Sequence, residues 1–258
     1  MTSVIHEQRD WVALVRLNRP EKFNSLTREM IIAVSDLFKQ FTTQPDLRAV
    51  ILTGTGNRAF CAGTDIGELK ELSEAEALQV SKRGQALCDL IEQCPVPVIA
   101  AINGLAVGGG CELALACHIR IANTNARFSL PEAKLGIIPG YGGTQRLPRE
   151  IGQARALETM LAGRDLSAAE ALKLGLVNRV TDSTDLMKEA DQLAHDIAKL
   201  APLAIRACLQ AVTRGVELPL EAGLALEAEL FASLFATDDV REGTKAFLEK
   251  RTPVFKGT

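Results

Sequence analysis

The sequence predicts an α/β fold. Short apolar runs alternate with helix-spaced ones up to about residue 130, in the order strand, helix, strand, helix, strand, helix, strand. Such alternation builds parallel sheets. Composition points the same way: of 258 residues only 4% are aromatic, with one Trp and one Tyr, against 20 Gly. A core so poor in rings is built from small and aliphatic side chains. That suits closely packed helices and backbone that approaches a ligand.

The elements follow in order. Trp11, Ala13, Val15 and Leu17 alternate with Val12, Leu14 and Arg16, the period of a strand, and Asn18-Arg19-Pro20 ends it. Thr27 can cap a helix whose apolar positions are Met30, Ile31, Val34, Leu37, Phe38 and Phe41. Arg48–Thr53 reads as a short strand closed by Gly54 and Gly56, and Glu74–Glu92 as a helix. Val98–Ile102 is an apolar strand running into glycines and a further helix; His118–Ala122 and Arg127–Ser129 are short strands. Beyond Pro148 the pattern is helical. Ser167 with Glu170 makes a capping box, and Gly175 stops that helix. Leu186, Ala190, Leu193, Ile197 and Leu200 form an apolar stripe that Pro202 breaks. Leu220, Leu224, Phe231, Leu234 and Phe235 line another helix, and a last one spans about Asp239–Lys250. An α/β core over 1–200 is therefore expected, followed by a helical segment over 201–258 that packs on a partner subunit or caps its own core.

Composition excludes several classes. Hydrophobic residues at 47% and charged residues at 24% rule out disordered and fibrous chains. A net charge of −3 and a pI of about 5.8 give no electrostatic ground for nucleic acid or an anionic membrane. Scarce aromatics argue against stacking platforms for single strands. The six cysteines, Cys61, Cys88, Cys94, Cys111, Cys117 and Cys208, include no C-x-x-C pair and sit mostly in apolar runs. They read as reduced, buried thiols of a cytoplasmic protein. Met1–Trp11 carries His6, Glu7, Arg9 and Asp10 and has no apolar signal-peptide core. The most apolar stretch, Val96–Cys117, is interrupted by Pro97, Asn103, Gly108–Gly110 and Glu112, so it does not read as a membrane span.

Three motifs lead nowhere. Gly54-Thr55-Gly56-Asn57-Arg58-Ala59 imitates a dinucleotide fingerprint, but Phe60-Cys61-Ala62-Gly63 stands where the helix should begin. No P-loop is present. His6, His118 and His195 are far apart and belong to no zinc or Ser–His–Asp signature, so no metal is expected.

The informative segment is Pro97–Glu112. An apolar strand runs through Asn103-Gly104 to Gly108-Gly109-Gly110, then Cys111 and Glu112 at the start of a helix. Glycines at such a junction leave free N–H groups at a helix N-terminus, where developing negative charge is stabilised. Equally, they could serve tight helix–sheet packing, with Glu112 a mere cap. A second acid, Glu132, follows Phe128-Ser129-Leu130-Pro131 among apolar and glycine residues. Those surroundings raise a carboxyl pKa. Its other reading is a salt-bridge partner of Lys134 or Arg127.

These residues resemble the enoyl-CoA hydratase/isomerase (crotonase) family over essentially the whole chain. The matching segments are Asn18-Arg19-Pro20, Ala59–Ile66, Ile99–Gly104 with Gly108–Leu113, Pro131-Glu132 with Leu135-Gly136, Pro139–Leu147, and the ending Ala246–Arg251. The resemblance implies a crotonase-like spiral of β-β-α units and a helical tail that forms trimers, often a dimer of trimers. It implies an acyl-CoA thioester substrate, with CoA part of the substrate and no separate cofactor. By the same resemblance the backbone N–H groups of Thr64 and Gly109 hold the thioester oxygen, and Glu112 and Glu132 form the acid/base pair. Ala62, Thr64, Asp65 and Ile66 lie along the adenine end of CoA, with Phe247 and Lys250 meeting CoA from the tail. Leu69, Leu105 and Gly140 line the acyl pocket. Tyr141 stands where some hydratases carry an alanine and others a tyrosine; it can shape the pocket and is assigned no chemistry.

Hydratases of the family carry both acids, isomerases commonly only the second. Both are present here, so the implied activity is enoyl-CoA hydratase, a hydro-lyase of fatty-acid metabolism. The alternatives are a Δ3,Δ2-enoyl-CoA isomerase, a dehydratase of a special CoA ester, and more distantly an RNA-binding relative.

Overall fold

The computed structural model describes residues 2–258; Met1, the first residue of the charged N-terminal stretch, lies outside them. Its strands are β1 (Val4–Arg9), β2 (Val12–Leu17), β3 (Ala49–Gly54), β4 (Ala59–Cys61), β5 (Val98–Ile102), β6 (Leu105–Val107), β7 (Ile119–Asn123), β8 (Arg127–Ser129), β9 (Leu166–Ser167) and β10 (Arg179–Thr181). Its helices are α1 (Arg28–Phe41), α2 (Glu74–Glu92), α3 (Gly109–Ala116), α4 (Gly143–Ile151), α5 (Gln153–Ala162), α6 (Ala168–Lys173), α7 (Leu186–Ala198), α8 (Pro202–Gly215), α9 (Leu220–Leu234) and α10 (Asp238–Glu249).

Two sheets form, in the orders β1-β2-β3-β5-β7-β10 and β4-β6-β8-β9. In the larger sheet β2 through β10 run parallel, and β1 is added antiparallel by a tight hairpin. β3-β4-α2 and β5-β6-α3 are the expected β-β-α units. Each gives its first strand to the large sheet and its second to the small one.

The central strands are buried on both faces. Ala13, Val15, Val50, Leu52, Val98 and Ala100 point into the main core with α1 and α2. Val12, Leu14, Ala49, Ile51, Ile99 and Ala101 face α7 instead. That second layer contains no aromatic residue: Leu186, Ala190, Ala194 and Ala198 of α7 lie flat on the sheet. Low aromatic content thus has a structural address, a helix packed closely through alanines. The buried stripe of α7 differs from the expected one. Leu193 and Ile197 are only partly buried and Leu200 is exposed, because the helix turns its smallest side chains to the sheet.

Other elements depart from the sequence reading. β1 carries His6, Glu7 and Arg9 on an edge, where charge is tolerated and discourages further pairing. The short strands β4, β6, β9 and β10 offer too few residues for a period to show. α4 begins at Gly143 and contains Pro148, so a stretch rich in helix breakers is helical. The Ser167–Glu170 capping box and the left-handed Gly175 (φ 78°) stand as expected, and a second box, Ser73–Glu76, starts α2. The cysteines are all free; five are buried and Cys208 is exposed. Among the described residues no helix is long and apolar enough to cross a membrane.

Candidate active site

The small sheet assembles the site. β4, β6 and β8 are adjacent and parallel, with Cys61 beside Ala106 and Val107 beside Ser129. Their C-terminal ends therefore emerge side by side, about 4.8 Å apart. β4 leads into Thr64, β6 into Gly109, and β8 into Glu132. Three residues distant in sequence meet because three strands end at one edge, the usual place for a site in parallel sheets.

Thr64 and Gly109 present free amides. Leu26 pairs with the Thr64 segment by donating its N–H to Gly63 O and accepting from Asp65 N, both near 2.8 Å. In a parallel bridge this leaves the N–H of Thr64 facing the other way. Gly109 is the first residue of α3, whose opening amides have no partner within the helix. The two lie close: a Cβ on Gly63 would stand 3.4 Å from Gly109 N, and one on Gly109 would stand 3.4 Å from Thr64 Oγ1. The approach depends on Gly108 and Gly110. Gly108 has φ 53° and ψ −127°, a conformation for glycine, and a Cβ on Gly110 would meet Cys61 O at 2.0 Å. The glycine run therefore gives both tight packing and open amides.

Glu112, in the first turn of α3, is 2% exposed. Its Oε1 accepts the backbone N–H of Tyr141 and of Gly143, each at 2.7 Å. It is not a cap of its own helix. Burial pushes its pKa above the ordinary carboxylate value, against the pull of these two donors. Tyr141 stands on the loop between Pro139 and α4, and Gly143 is the first residue of α4. Ser81 Oγ and Gln85 Nε2 of α2 donate to Gly140 O at 2.6 and 3.2 Å, and Arg146 Nη1 donates to Tyr141 O at 3.2 Å. Arg146 is itself held by Asp89 and Glu92 of α2.

Glu132 is 8% exposed and pairs with neither Lys134 nor Arg127. Lys134 Nζ donates to Gly163 O and Arg127 Nη1 to Ala126 O. Its Oε2 is buried and meets no hydrogen-bond partner among the described residues. Its Oε1 lies over Gly108, 3.0 Å from where a Cβ would be. Burial, helped by the charge of Glu112, pushes its pKa up to about 7. A buried carboxyl with a free oxygen, half-protonated near neutral pH, is suited to carrying a proton.

Tyr141 completes the site. It is 4% exposed, and Thr64 Oγ1 donates to its hydroxyl at 2.8 Å. A Cβ on Gly84 of α2 would collide with its ring at 2.0 Å, and one on Gly109 would reach it at 3.0 Å. A glycine inside a helix costs about 1 kcal/mol relative to alanine. Gly84 carries that cost and admits the ring.

Ala62 donates its N–H to Phe23 O, and Asp65 accepts from Arg19 Nη2 and Gly67 N at 3.0 Å, which holds its carboxyl below the ordinary range. The Asp65 carboxylate is thus committed to the frame, while Ile66 beside it is exposed. Leu69 is half-buried after the turn Ile66–Glu68. Leu105 opens β6, paired with Ala59 and Arg127 at the end away from Gly109. Gly140 is an anchor of the loop to α2. Phe247 (83% exposed) and Lys250 sit on and just past α10, and among the described residues no hydrogen bond or ion pair joins their side chains to the site. Sequence reasoning missed the amides of Tyr141 and Gly143, since any residue carries an N–H. It also missed Arg146, whose position inside the Pro139–Leu147 motif was the available signal.

The family described as enoyl-CoA hydratase/isomerase matches residues 7–258. A short-chain-enoyl-CoA hydratase of Clostridium acetobutylicum is 41% identical over 251 residues, covering 97% of this chain and 96% of that one. An (E)-benzylidenesuccinyl-CoA hydratase of Thauera aromatica is 44% identical over 246 residues, 95% and 96% of the two chains. A crystal structure of an enoyl-CoA hydratase from Bacillus anthracis superposes with a TM-score of 0.97 at 40% identity, covering 100% of both chains. Likeness of sequence and backbone over nearly the full length leaves one conclusion: the chain belongs to the enoyl-CoA hydratase/isomerase family.

Proposed function

We propose that this chain is an enoyl-CoA hydratase, adding water to a trans-2-enoyl-CoA to give a 3-hydroxyacyl-CoA. One observation carries the reading: two buried carboxyls, Glu112 anchored by backbone amides and Glu132 with an unpartnered oxygen, flank the free N–H groups of Thr64 and Gly109.

The thioester oxygen accepts from those two amides, which polarises the conjugated double bond and makes C3 electrophilic. Glu112, with Oε1 held, presents Oε2 to a water and takes its proton as the oxygen bonds to C3. Electrons move to the thioester oxygen, and the enolate-like charge is met by preorganised donors; each such donor is worth roughly 10²–10³ in rate. Glu132 enters protonated and delivers its proton to C2. Proton exchange between the two acids restores the starting state. The reaction uses only substrate, water and these groups, so CoA enters as part of the substrate and no separate cofactor is invoked. Among the described residues no three His, Cys, Asp or Glu side chains converge as a metal site would need.

The proposal extends to assembly. Leu220, Leu224, Phe231 and Phe235 are exposed on one face of α9 and its end. Such a face suits contact with further copies, as a trimer or a dimer of trimers. Phe247 and Lys250 would then meet CoA bound to a neighbouring copy or to their own.

The test is a panel of 2-enoyl-CoA thioesters followed by loss of the conjugated thioester absorbance, with a 3-enoyl-CoA beside it. Hydration of crotonyl-CoA is expected, with Glu112→Gln slowed roughly 10²–10⁴-fold. An enzyme that converts the 3-enoyl ester at full rate without Glu112 would instead be an isomerase.

A further inference from the structure

Tyr141 touches Glu112, Arg146, Thr64 and Gly109 at once. Its backbone N–H donates to Glu112, its carbonyl accepts from Arg146, its hydroxyl is bonded to Thr64, and its ring edge lies against Gly109. The ring is buried, and α2 makes room for it with Gly84, whose φ is not in the left-handed region. Clearance for the ring is thus the reason for a glycine in the middle of a long helix.

The hydroxyls also count. Thr64 and Tyr141 bring two O–H donors and share one bond. One proton is left without an acceptor among the described residues. Burial pushes the Tyr141 pKa up to about 12, so the phenol stays neutral and keeps its proton. The wall between α2 and the two amides is therefore a rigid ring with a neutral donor at its tip.

From this we propose that Tyr141, seated on Gly84, is the residue that limits the size of the acyl group beside the Thr64–Gly109 amides. It rests on the hydratase reading. The ring fills the α2 side of the site, so a short unbranched enoyl group is accepted and a bulky one, such as a 3-aryl group, is excluded. Relatives of similar identity are named for a short-chain enoyl-CoA and for a benzylidenesuccinyl-CoA, so acyl size is a property that varies within this fold. The Thr64 bond holds the hydroxyl end of the ring, and packing in the main core holds its body.

The experiment compares kcat/KM for crotonyl-CoA and cinnamoyl-CoA in wild type, Tyr141→Phe and Tyr141→Ala. Wild-type hydration of crotonyl-CoA tests the hydratase reading by itself. In Tyr141→Ala the cinnamoyl to crotonyl ratio should rise at least tenfold, the scale of discrimination that pocket volume provides. Tyr141→Phe keeps the ring and should keep the ratio within about threefold while lowering both rates. A merely structural role would lower both substrates together in Tyr141→Ala, and an unchanged ratio there overturns the proposal. If Tyr141→Ala fails to fold, Gly84→Ala in the wild-type background serves: it pushes the ring toward the amides and should depress kcat/KM for 2-hexenoyl-CoA more than for crotonyl-CoA. Equal effects on the two esters would overturn the proposal as surely.

Discussion

Gly110 of α3 approaches Cys61 at the end of β4 so closely that a Cβ on it would lie 2.0 Å from the Cys61 carbonyl oxygen. This contact sets the distance between the helix that carries the Gly109 amide and the strand that leads to Thr64. Backbone meets backbone, so neither side can rotate away. Gly110→Ala must separate α3 from β4. It is expected to cost about 1–3 kcal/mol of stability, the usual scale of overpacking. Hydration of crotonyl-CoA should fall by roughly 10² or more, because the two donors no longer converge on one oxygen. Denaturant titration and steady-state rates on the same sample check both numbers. A variant with lowered stability and wild-type kcat would show that the contact only packs.

Glu112 separates shape from chemistry. Glu112→Gln retains an oxygen that accepts the Tyr141 and Gly143 amides, so the loop keeps its anchor. Glu112→Ala removes that anchor and strands two buried donors, at about 1–3 kcal/mol each. Both variants should lose roughly 10²–10⁴ in kcat. Only Glu112→Ala should also lower the unfolding midpoint. Equal midpoints in the two variants would mean that the loop is held by Arg146, Ser81 and Gln85 alone.

Glu132 links activity and stability to pH. Its pKa of about 7 in the folded protein lies above the ordinary 4.5. Folded protein therefore holds a proton that unfolded chain releases between these values. The penalty is absent below about pH 4.5, grows as pH rises, and is complete above about 7, where it reaches roughly 3 kcal/mol at most. Glu132→Gln removes it. Relative to wild type, that variant should gain stability as pH is raised from 5 to 8, by urea titration. Wild-type kcat/KM for crotonyl-CoA should fall on the alkaline side near pH 7 as the donor proton is lost. A stability difference between the two proteins that does not change with pH would place the proton elsewhere.

Long, periodic elements were legible in the sequence. α1 and α2 have helical spacing and side-chain caps, and β5 is an unbroken apolar run. The small sheet was not, because strands such as Ala59–Cys61 and Leu105–Val107 are too short to show alternation. That sheet brings Thr64, Gly109 and Glu132 together, so the site could not be assembled from local patterns. Glu112 and Gly109 were visible as an acid and a glycine at a strand-to-helix junction. Thr64 was visible only through the family likeness. Tyr141 was read as shaping the pocket without chemistry, because its contacts depend on a glycine in another helix and on its own backbone N–H.

The exposed face of α9 is a testable interface. Phe231 and Phe235 contact each other edge to face, with ring centroids 5.1 Å apart, and both are largely exposed in the single chain. Water is a poor neighbour for two phenylalanines and for Leu220 and Leu224 on the same side, so these groups should be covered by other copies. Phe231→Asp places a charge where an apolar partner would sit. Light scattering coupled to size exclusion should report several chains for wild type and mainly the 27.8 kDa chain for the variant. Far-UV circular dichroism should be unchanged, since Phe231 contributes little to the core of its own chain. If the tail positions Phe247 and Lys250 act on CoA bound to another copy, KM for the CoA ester should rise on dissociation. Should they act on their own copy, KM should hold while mass falls. A wild-type protein that runs as one chain would remove the interface and leave this apolar face without a partner.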